Sequence, residues 1–237
     1  MTGPLIIIGG HEDKEGDRVI LREVESALDG NRLVLATIAS RQPDGYLESY
    51  SNGFDAARLD ELYLENDEEA HDADKRALVE RAGGVFFSGG DQSRLVGMIR
   101  DTPIERAVRE LWERGGVVAG TSAGASAMGE LMIVRGPGDE SVGPDDLEFA
   151  PGLAFVAGVM IDQHFAERGR IGRLVGAIAE HPRLLGIGID EDTAIVVEGR
   201  RFRVIGSGAV YVLAARSAPE FTLRVLRAGD TFNLNDV

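Results

Sequence analysis

The sequence contains no cysteine among its 237 residues. This absence excludes disulfide bonds, metal sites built on thiolates and cysteine nucleophiles. Long apolar runs are also lacking, since no segment approaches the roughly 20 apolar residues that a membrane helix needs. The first apolar run, Leu5 to Ile8, is too short for the core of a signal peptide. We therefore expect a cytoplasmic protein without a membrane partner.

Basic residues are scarce relative to acidic ones, with 25 Lys and Arg against 40 Asp and Glu and a formal net charge of −15. Such a surface repels phosphate backbones, so we expect no nucleic-acid partner. The acidic residues are densest in Glu65 to Glu69 and Asp72 to Asp74, which we interpret as a solvated face. The alternative is that this charge attracts a cationic substrate.

Sequence signatures of cofactor sites are missing as well. Gly9-Gly10 follows the first apolar run but lacks the third glycine of a dinucleotide fingerprint, and no cluster has the spacing of metal ligands. We therefore predict no cofactor and no metal.

Short apolar runs alternate with amphipathic segments through the first half of the chain. The segment Arg18 to Leu28, for example, has the apolar period of a helix. The predicted strands are Leu5 to Ile8, Leu33 to Ile38, Leu62 to Leu64, Val85 to Phe87 and Val117 to Ala119. This alternation predicts an α/β fold with a mostly parallel open sheet flanked by helices. Since no linker is evident, we predict a single domain over residues 1–237.

The pattern changes after about Gly186, where strands follow one another closely. These strands are Ile187 to Ile189, Ala194 to Val197, Arg203 to Ile205, Val210 to Leu213 and Thr222 to Val225. The short connections predict antiparallel strands that extend or edge the sheet. The segment Val134 to Pro151 is predicted to be an irregular loop.

The segment Gly120 to Gly124 reads Gly-Thr-Ser-Ala-Gly and lies between a predicted buried strand and a helix. This is the context of a nucleophile elbow, in which a sharp turn raises a serine hydroxyl above the sheet. Ser122 is therefore the candidate nucleophile, and the Ala123 N–H is a candidate oxyanion donor. The alternative is a tight packing turn with a polar cap.

A second loop, Ser88-Gly89-Gly90-Asp91-Gln92, follows another predicted buried strand. Its glycines place backbone amides at the carboxyl end of the sheet, so Gly90 is a candidate for the second oxyanion donor. Gln92 is a candidate for binding the substrate backbone. A glycine turn with a polar cap is nearly as compatible with this segment.

A third segment follows Val159 to Ile161 and contains Asp162, Gln163 and His164. His164 is the best placed of the four histidines to act as general base. Three arginines lie just beyond it and are candidates for clamping a carboxylate: Arg168, Arg170 and Arg173. Asp190, Glu191 and Asp192 follow a later strand, and composition alone does not select which of them orients His164.

Together these segments resemble the cyanophycinases, serine peptidases grouped with aspartyl dipeptidases. The resemblance runs through Gly9-Gly10 with Glu12-Asp13-Lys14, Phe87 to Gln92, Gly120 to Ala125, Asp162 to Phe165 with the three arginines, Gly188 to Thr193, and Ile205 to Gly208. It implies a fold like that of class I glutamine amidotransferases (flavodoxin-like). It further implies Ser122 as nucleophile, His164 as base and Glu191 as orienting acid. The pocket residues it implies are Gln92, Asp162, Gln163, Arg168, Arg170 and Arg173.

The resemblance also implies a substrate. Members of the family hydrolyse cyanophycin, a polyaspartate backbone with arginine on each side-chain carboxyl, and release β-Asp-Arg dipeptides; a homodimer is implied by analogy. His11 departs from the family pattern, where a smaller residue is expected, and is predicted to lie at the pocket edge. The alternatives are an α-aspartyl or isoaspartyl dipeptidase and a non-catalytic amidotransferase-like binding domain.

Overall fold

The computed structural model describes residues 1–28, 32–54, 59–136, 147–217 and 220–236. In chain order the elements are β1 (Leu5–Ile8), α1 (Val19–Ala27), β2 (Leu33–Ala36), α2 (Tyr46–Ser51), β3 (Leu59–Leu62), a 3₁₀ turn (Asp67–His71), α3 (Ala73–Glu80), β4 (Gly84–Phe87), α4 (Gln92–Ile99), α5 (Pro103–Glu113), β5 (Val117–Thr121), α6 (Ala123–Ala127), β6 (Gly129–Arg135), β7 (Glu148–Pro151), β8 (Val156–Gln163), α7 (Ile171–Glu180), β9 (Leu185–Ile189), β10 (Thr193–Glu198), β11 (Arg201–Gly206), β12 (Ala209–Ser217), β13 (Glu220–Arg227) and β14 (Thr231–Asn233). No helix among these residues is long and apolar enough to cross a membrane.

The strands form two sheets. The first has the order β14-β11-β10-β1-β5-β4-β2-β3, and its last five strands, from β1 to β3, pair in parallel. The strands β10, β11 and β14 extend it through antiparallel pairs. The second sheet has the order β13-β12-β9-β8-β6-β7, in which β8 pairs in parallel with both β6 and β9.

The strands β1, β2, β4 and β5 of the first sheet are buried on both faces. Successive side chains of a strand point to opposite sides, so each strand contributes to two cores. Phe86 belongs to the core under α1, whereas its neighbour Phe87 belongs to the core that joins the two sheets. A third cluster, which includes Met160 and Leu174, lies between the second sheet and α7. The two sheets therefore pack against a shared core, with α1 and α7 on their outer faces.

Side-chain caps begin three of the helices. Asp72, Asp91 and Thr102 each accept hydrogen bonds from backbone N–H groups in the first turn of α3, α4 and α5. Pro103 also occupies the first turn of α5, where its missing N–H costs nothing. These caps explain why helices begin soon after polar residues that end the preceding loops.

The predicted α/β class, with a mostly parallel sheet and antiparallel strands towards the C-terminus, is confirmed. Three details of the prediction are wrong. The third strand is Leu59–Leu62 instead of Leu62 to Leu64. Strand β9 is parallel to β8, although it is antiparallel to β12. Part of the predicted loop from Val134 to Pro151 is strand, because β6 reaches Arg135 and pairs with β7, while residues 137–146 lie outside the described residues.

Candidate active site

Ser122 lies at the sharp turn between β5 and α6. Its backbone has φ 53° and ψ −110°, and its N–H donates to the Ile8 carbonyl at 3.1 Å. The flanking glycines allow this close packing, since a Cβ atom on Gly124 would lie 2.4 Å from the Phe87 carbonyl oxygen. The strained conformation leaves Ser122 partly exposed at the carboxyl ends of β1, β4 and β5.

His164 follows β8 and lies against Ser122. Its Nε2 is 2.9 Å from the Ser122 Oγ, and its backbone N–H donates to the Gly9 carbonyl at 2.8 Å. Gly10 makes room for the ring, because a Cβ atom there would lie 2.3 Å from the His164 Cε1. Burial lowers the pKa of His164 below its ordinary value, although the contact with Glu191 opposes this shift.

Glu191 is the acid that contacts His164, with 2.6 Å between its Oε1 and the His164 Nδ1. Its two neighbours serve other groups. Asp190 accepts the N–H groups of Ala166 and Ala209. Asp192 accepts the Asp13 N–H and the Ser207 hydroxyl, which fastens adjacent loops.

The carboxylate of Glu191 also contacts a second histidine. Its Oε2 lies 2.8 Å from the His11 Nδ1, and the rings of His11 and His164 meet edge to face with centroids 5.1 Å apart. Partial burial would raise the pKa of Glu191, but the contacts with both histidines outweigh it and lower that pKa. Glu191 therefore stays ionised between two imidazole rings.

Backbone strain is concentrated at this site. The described residues include seven non-glycine residues with positive φ, and four of them belong to the site: His11, Ser122, His164 and Asp192. Such conformations cost about 1–3 kcal/mol each and persist where the surrounding structure holds them. The strain shows that four loops are bent to bring these groups together.

The two predicted oxyanion donors lie on segments that border Ser122: Ala123 follows it directly, and the loop of Gly90 reaches it through Gly89. Ala123 is the first residue of α6, so its N–H has no acceptor one turn earlier in the helix. In the second loop Gly90 has φ 141°, and a Cβ atom there would lie 2.4 Å from the Ala39 carbonyl oxygen. Gly89 packs directly beside Ser122, since a Cβ atom on it would lie 3.5 Å from the Ser122 Cβ.

The three predicted arginines differ in their surroundings. Arg170 and Arg173 are buried and both pair with Asp162, which is 1% exposed. Burial lowers the pKa of Arg170 to about 10, with Asp162 opposing the shift. Arg168 is exposed, and its charge contributes to lowering the pKa of His164. The structure thus leaves Arg168 accessible to a ligand, whereas the partners of Arg170, Arg173 and Asp162 lie within the protein.

The two predicted glutamines also have distinct roles. The Gln163 Oε1 lies 3.4 Å from the Ser122 Oγ, so this side chain borders the candidate nucleophile. The Gln92 Nε2 donates to the Ile133 carbonyl of β6 at 2.8 Å. Gln92 therefore ties α4 to the second sheet, and its Oε1 is the atom left for a ligand.

Sequence reasoning missed a buried carboxylate beneath the turn. Glu12 is 4% exposed and accepts hydrogen bonds from the Tyr50 hydroxyl at 2.5 Å and the Thr121 hydroxyl at 2.6 Å. The Lys14 Nζ lies 3.2 Å from the same carboxylate. Burial, followed by the negative charge of Glu12, raises the pKa of Tyr50. The signal in the sequence was an acid closely following a buried strand. Its contact with Thr121, the residue before Ser122, depends on the fold.

Comparisons with known proteins bear on this site. The model of peptidase family S51 matches residues 5–205. The cyanophycinase of Trichormus variabilis is 39% identical over 217 residues, which cover 88% of this chain and 72% of that protein. The cyanophycinase of Synechococcus elongatus is 35% identical over an alignment of 255 residues, gaps included, which covers 98% of this chain and 79% of that protein.

Solved structures show the same fold. A peptidase from an acI-B1 Actinobacterium has a TM-score of 0.72 and 24% identity, with 98% of this chain and 97% of that chain covered. A putative peptidase E from Listeria monocytogenes has a TM-score of 0.58 and 17% identity, with 88% of this chain and all of that chain covered. At these identities the likeness concerns the fold alone.

Proposed function

The chain belongs to peptidase family S51, and from that premise we propose that it is a serine exopeptidase that hydrolyses cyanophycin to β-Asp-Arg dipeptides. The observation that carries the proposal is the chain of contacts from Ser122 through His164 to Glu191. The relatives named as cyanophycinases, with 35–39% identity over most of the chain, support the substrate.

The contacts support an acyl-enzyme mechanism. With the ring proton of His164 on Nδ1, facing Glu191, the Nε2 accepts the proton of Ser122 as its Oγ attacks the carbonyl carbon. The N–H groups of Ala123 and Gly90 stabilise the oxyanion. The imidazolium then protonates the leaving amine, and water attacks the acyl-enzyme with His164 again as base.

Substrate recognition depends on opposite charges. Each unit of cyanophycin carries an arginine with a free carboxylate, and the exposed guanidinium of Arg168 beside His164 is suited to that carboxylate. Each unit also carries a guanidinium group, which carboxylates of this acidic chain are suited to pair with. We propose that Gln163 and Gln92 contact the backbone of the substrate. Arg170 and Arg173 both pair with Asp162 beneath the segment that carries Arg168, and we propose that these three residues form the floor of the pocket.

Ser122→Ala tests the role of the nucleophile. The purified variant should release no β-Asp-Arg from cyanophycin above background, and a fluorophosphonate probe should not label it. Ser93→Ala, the same substitution at an exposed serine of α4, should retain both activity and labelling. Undiminished hydrolysis by Ser122→Ala would refute the assignment.

Mass spectrometry of the products tests the substrate. Incubation of the wild type with cyanophycin should give β-Asp-Arg dipeptides as the main product. Aspartyl and isoaspartyl dipeptides are compared at the same enzyme concentration. Faster cleavage of those dipeptides than of cyanophycin would replace the substrate proposal with a dipeptidase that uses the same nucleophile.

We also propose that the protein is a cytoplasmic homodimer that binds no nucleic acid. The acidic net charge supports the last statement. Exposed Leu223 and Val225 on β13, at the end of the second sheet, support self-association. Light scattering coupled to gel filtration tests the dimer, and a monomeric mass at micromolar concentration would contradict it.

A further inference from the structure

Three side chains that commonly ligate metals converge beside the nucleophile. His11, His164 and Glu191 each offer a nitrogen or oxygen atom, and these atoms all lie within 4.8 Å of one another. The three residues come from loops that follow β1, β8 and β9, so no regular spacing reveals them in the sequence. The sequence analysis predicted no metal site from the spacing of residues along the chain, whereas this cluster forms only in the folded protein.

The donor set is the one that zinc favours. Two imidazoles and one carboxylate form the protein ligands of many zinc sites, and a fourth position is left for water. The cluster is open on one side, because the His11 side chain is 73% exposed and that of Glu191 is 25% exposed. Since the net charge of the chain is −15, divalent cations are enriched around it.

Hydrogen bonds between the loops hold the three ligands close together. The Asp192 N–H donates to the Gly10 carbonyl at 2.8 Å, and the Asp13 N–H donates to the Asp192 Oδ1 at 3.0 Å. These bonds fasten the loop of His11 to that of Glu191. Both Nδ1 atoms already face the same carboxylate, at 2.6 Å and 2.8 Å, so only small side-chain shifts bring three donors onto one ion.

We propose that His11, Glu191 and His164 bind one zinc-class divalent cation and that this cation inhibits the peptidase. A metal at the His164 Nδ1 takes the position of the ring proton, which then resides on Nε2. The Nε2 atom faces Ser122 at 2.9 Å and in that tautomer donates instead of accepting. The base is thereby lost, and Glu191 is withdrawn from His164. The inhibitory effect rests on the proposed function, whereas binding of the cation does not.

Zinc binding is measured first, with Zn²⁺ alone in competition with a chromophoric chelator. The wild type and Ser122→Ala should each bind one tight equivalent per chain, since Ser122 is no ligand. His11→Asn should weaken this binding by at least about tenfold to 100-fold, since losing even a residue that only supports a ligand typically costs that much. Asn suits this position because it tolerates the left-handed φ of 47° at His11.

His71→Asn is the matched control, since His71 is exposed on the 3₁₀ turn and is no member of the cluster. It should retain the tight site. Equal affinity of His11→Asn and the wild type would overturn the inference, as would the absence of a tight equivalent in the wild type.

Inhibition is measured next, with each rate normalised to that of the same variant in EDTA. Zn²⁺ should abolish hydrolysis by the wild type and EDTA should restore it, while His11→Asn should need about tenfold more zinc or more. The two proposals fail differently. A protein that binds zinc through His11 but hydrolyses no peptide contradicts the proposed function alone. A protein that hydrolyses cyanophycin and ignores zinc contradicts this inference alone.

Discussion

Arg173 binds Asp162 through two guanidinium nitrogens, and both side chains are buried beneath the active site. The Arg173 Nε lies 2.7 Å from the Asp162 Oδ2, and its Nη2 contacts the Oδ1. Asp162 lies in β8, directly before the loop of His164, and Arg173 lies in α7. The pair therefore fixes the helix to the strand that presents the candidate base.

Arg173→Met should destabilise the fold. Breaking a buried pair costs about 3–5 kcal/mol when the charge left behind has no partner, and Asp162 keeps Arg170, so we expect a loss at the lower end of that range. Urea denaturation should show this loss of unfolding free energy. Arg168→Met, at an exposed position of the same segment, should stay within about 0.5 kcal/mol of the wild type. Similar losses in the two variants would contradict a buried structural role for Arg173.

Arg168→Gln should impair substrate binding while the fold is retained. The exposed guanidinium is proposed to bind a substrate carboxylate, and a charge-assisted hydrogen bond contributes about 1.5–3 kcal/mol. KM for cyanophycin should therefore rise about tenfold to 100-fold, with a smaller change in kcat. Arg106→Gln, at an exposed arginine of α5, serves as the control. An unchanged KM in Arg168→Gln would remove Arg168 from the pocket.

Gly10→Ala should displace His164. A Cβ atom at this position would lie 2.3 Å from the His164 Cε1 and 2.5 Å from its Nε2, so the ring must move away from Ser122. We expect kcat to fall by about 100-fold, the effect of a misplacement of about 1 Å. Gly45→Ala is the matched control, because Gly45 also has positive φ but nothing lies within 4 Å of the added atom. The control shares the backbone strain and should retain kcat; equal losses in both would show that strain, not contact with His164, is responsible.

Elements with a local signal could be predicted from the sequence. Arrangements that depend on contacts between residues far apart in the chain could not. The strand before Ser122 and the turn at Gly120 to Gly124 were predictable, because a buried run, small residues and a helix follow one another directly. The second sheet was missed because β6 and β8 are apolar runs whose pairing depends on tertiary contacts. The partners of Asp162 were missed for the same reason, since an arginine on a helix gives no sign of which acid it will meet.

Glu12→Gln should weaken the hydrogen bonds beneath the turn of Ser122. The Glu12 carboxylate accepts two hydroxyl groups and pairs with Lys14, whereas an amide presents N–H donors to one of those hydroxyls. Unfolding free energy should fall by about 1–3 kcal/mol, the cost of unsatisfied buried polar groups. Glu61→Gln is the control, because Glu61 also accepts a threonine hydroxyl, from Thr37 at 2.9 Å, but is exposed. A loss in Glu61→Gln as large as that in Glu12→Gln would refute the importance of burial.

The pH dependence of kcat/KM should depend on the pKa of His164, with the activity falling at acid pH. The proposed mechanism needs the neutral imidazole of His164, and burial lowers its pKa below the ordinary 6.5, so the neutral form persists below pH 6.5. The rate in EDTA should therefore stay high down to that pH and fall as the pH passes through the lowered pKa. Glu191 acts in the opposite direction, because its carboxylate raises the pKa of His164. Glu191→Gln should move the midpoint to still lower pH.

The same variant should lower kcat by about 10²-fold to 10⁴-fold, since the imidazolium loses its counter-charge and the ring its orientation. Glu198→Gln, at an exposed glutamate of β10, should leave both the midpoint and kcat unchanged. The measurement is kcat/KM between pH 4 and 8, where Glu191 remains ionised over most of the range because the contacts with its two histidines lower its pKa. A midpoint that moves to higher pH in Glu191→Gln would contradict this effect of the carboxylate. It would mean that the His164 ring has become less buried in the variant.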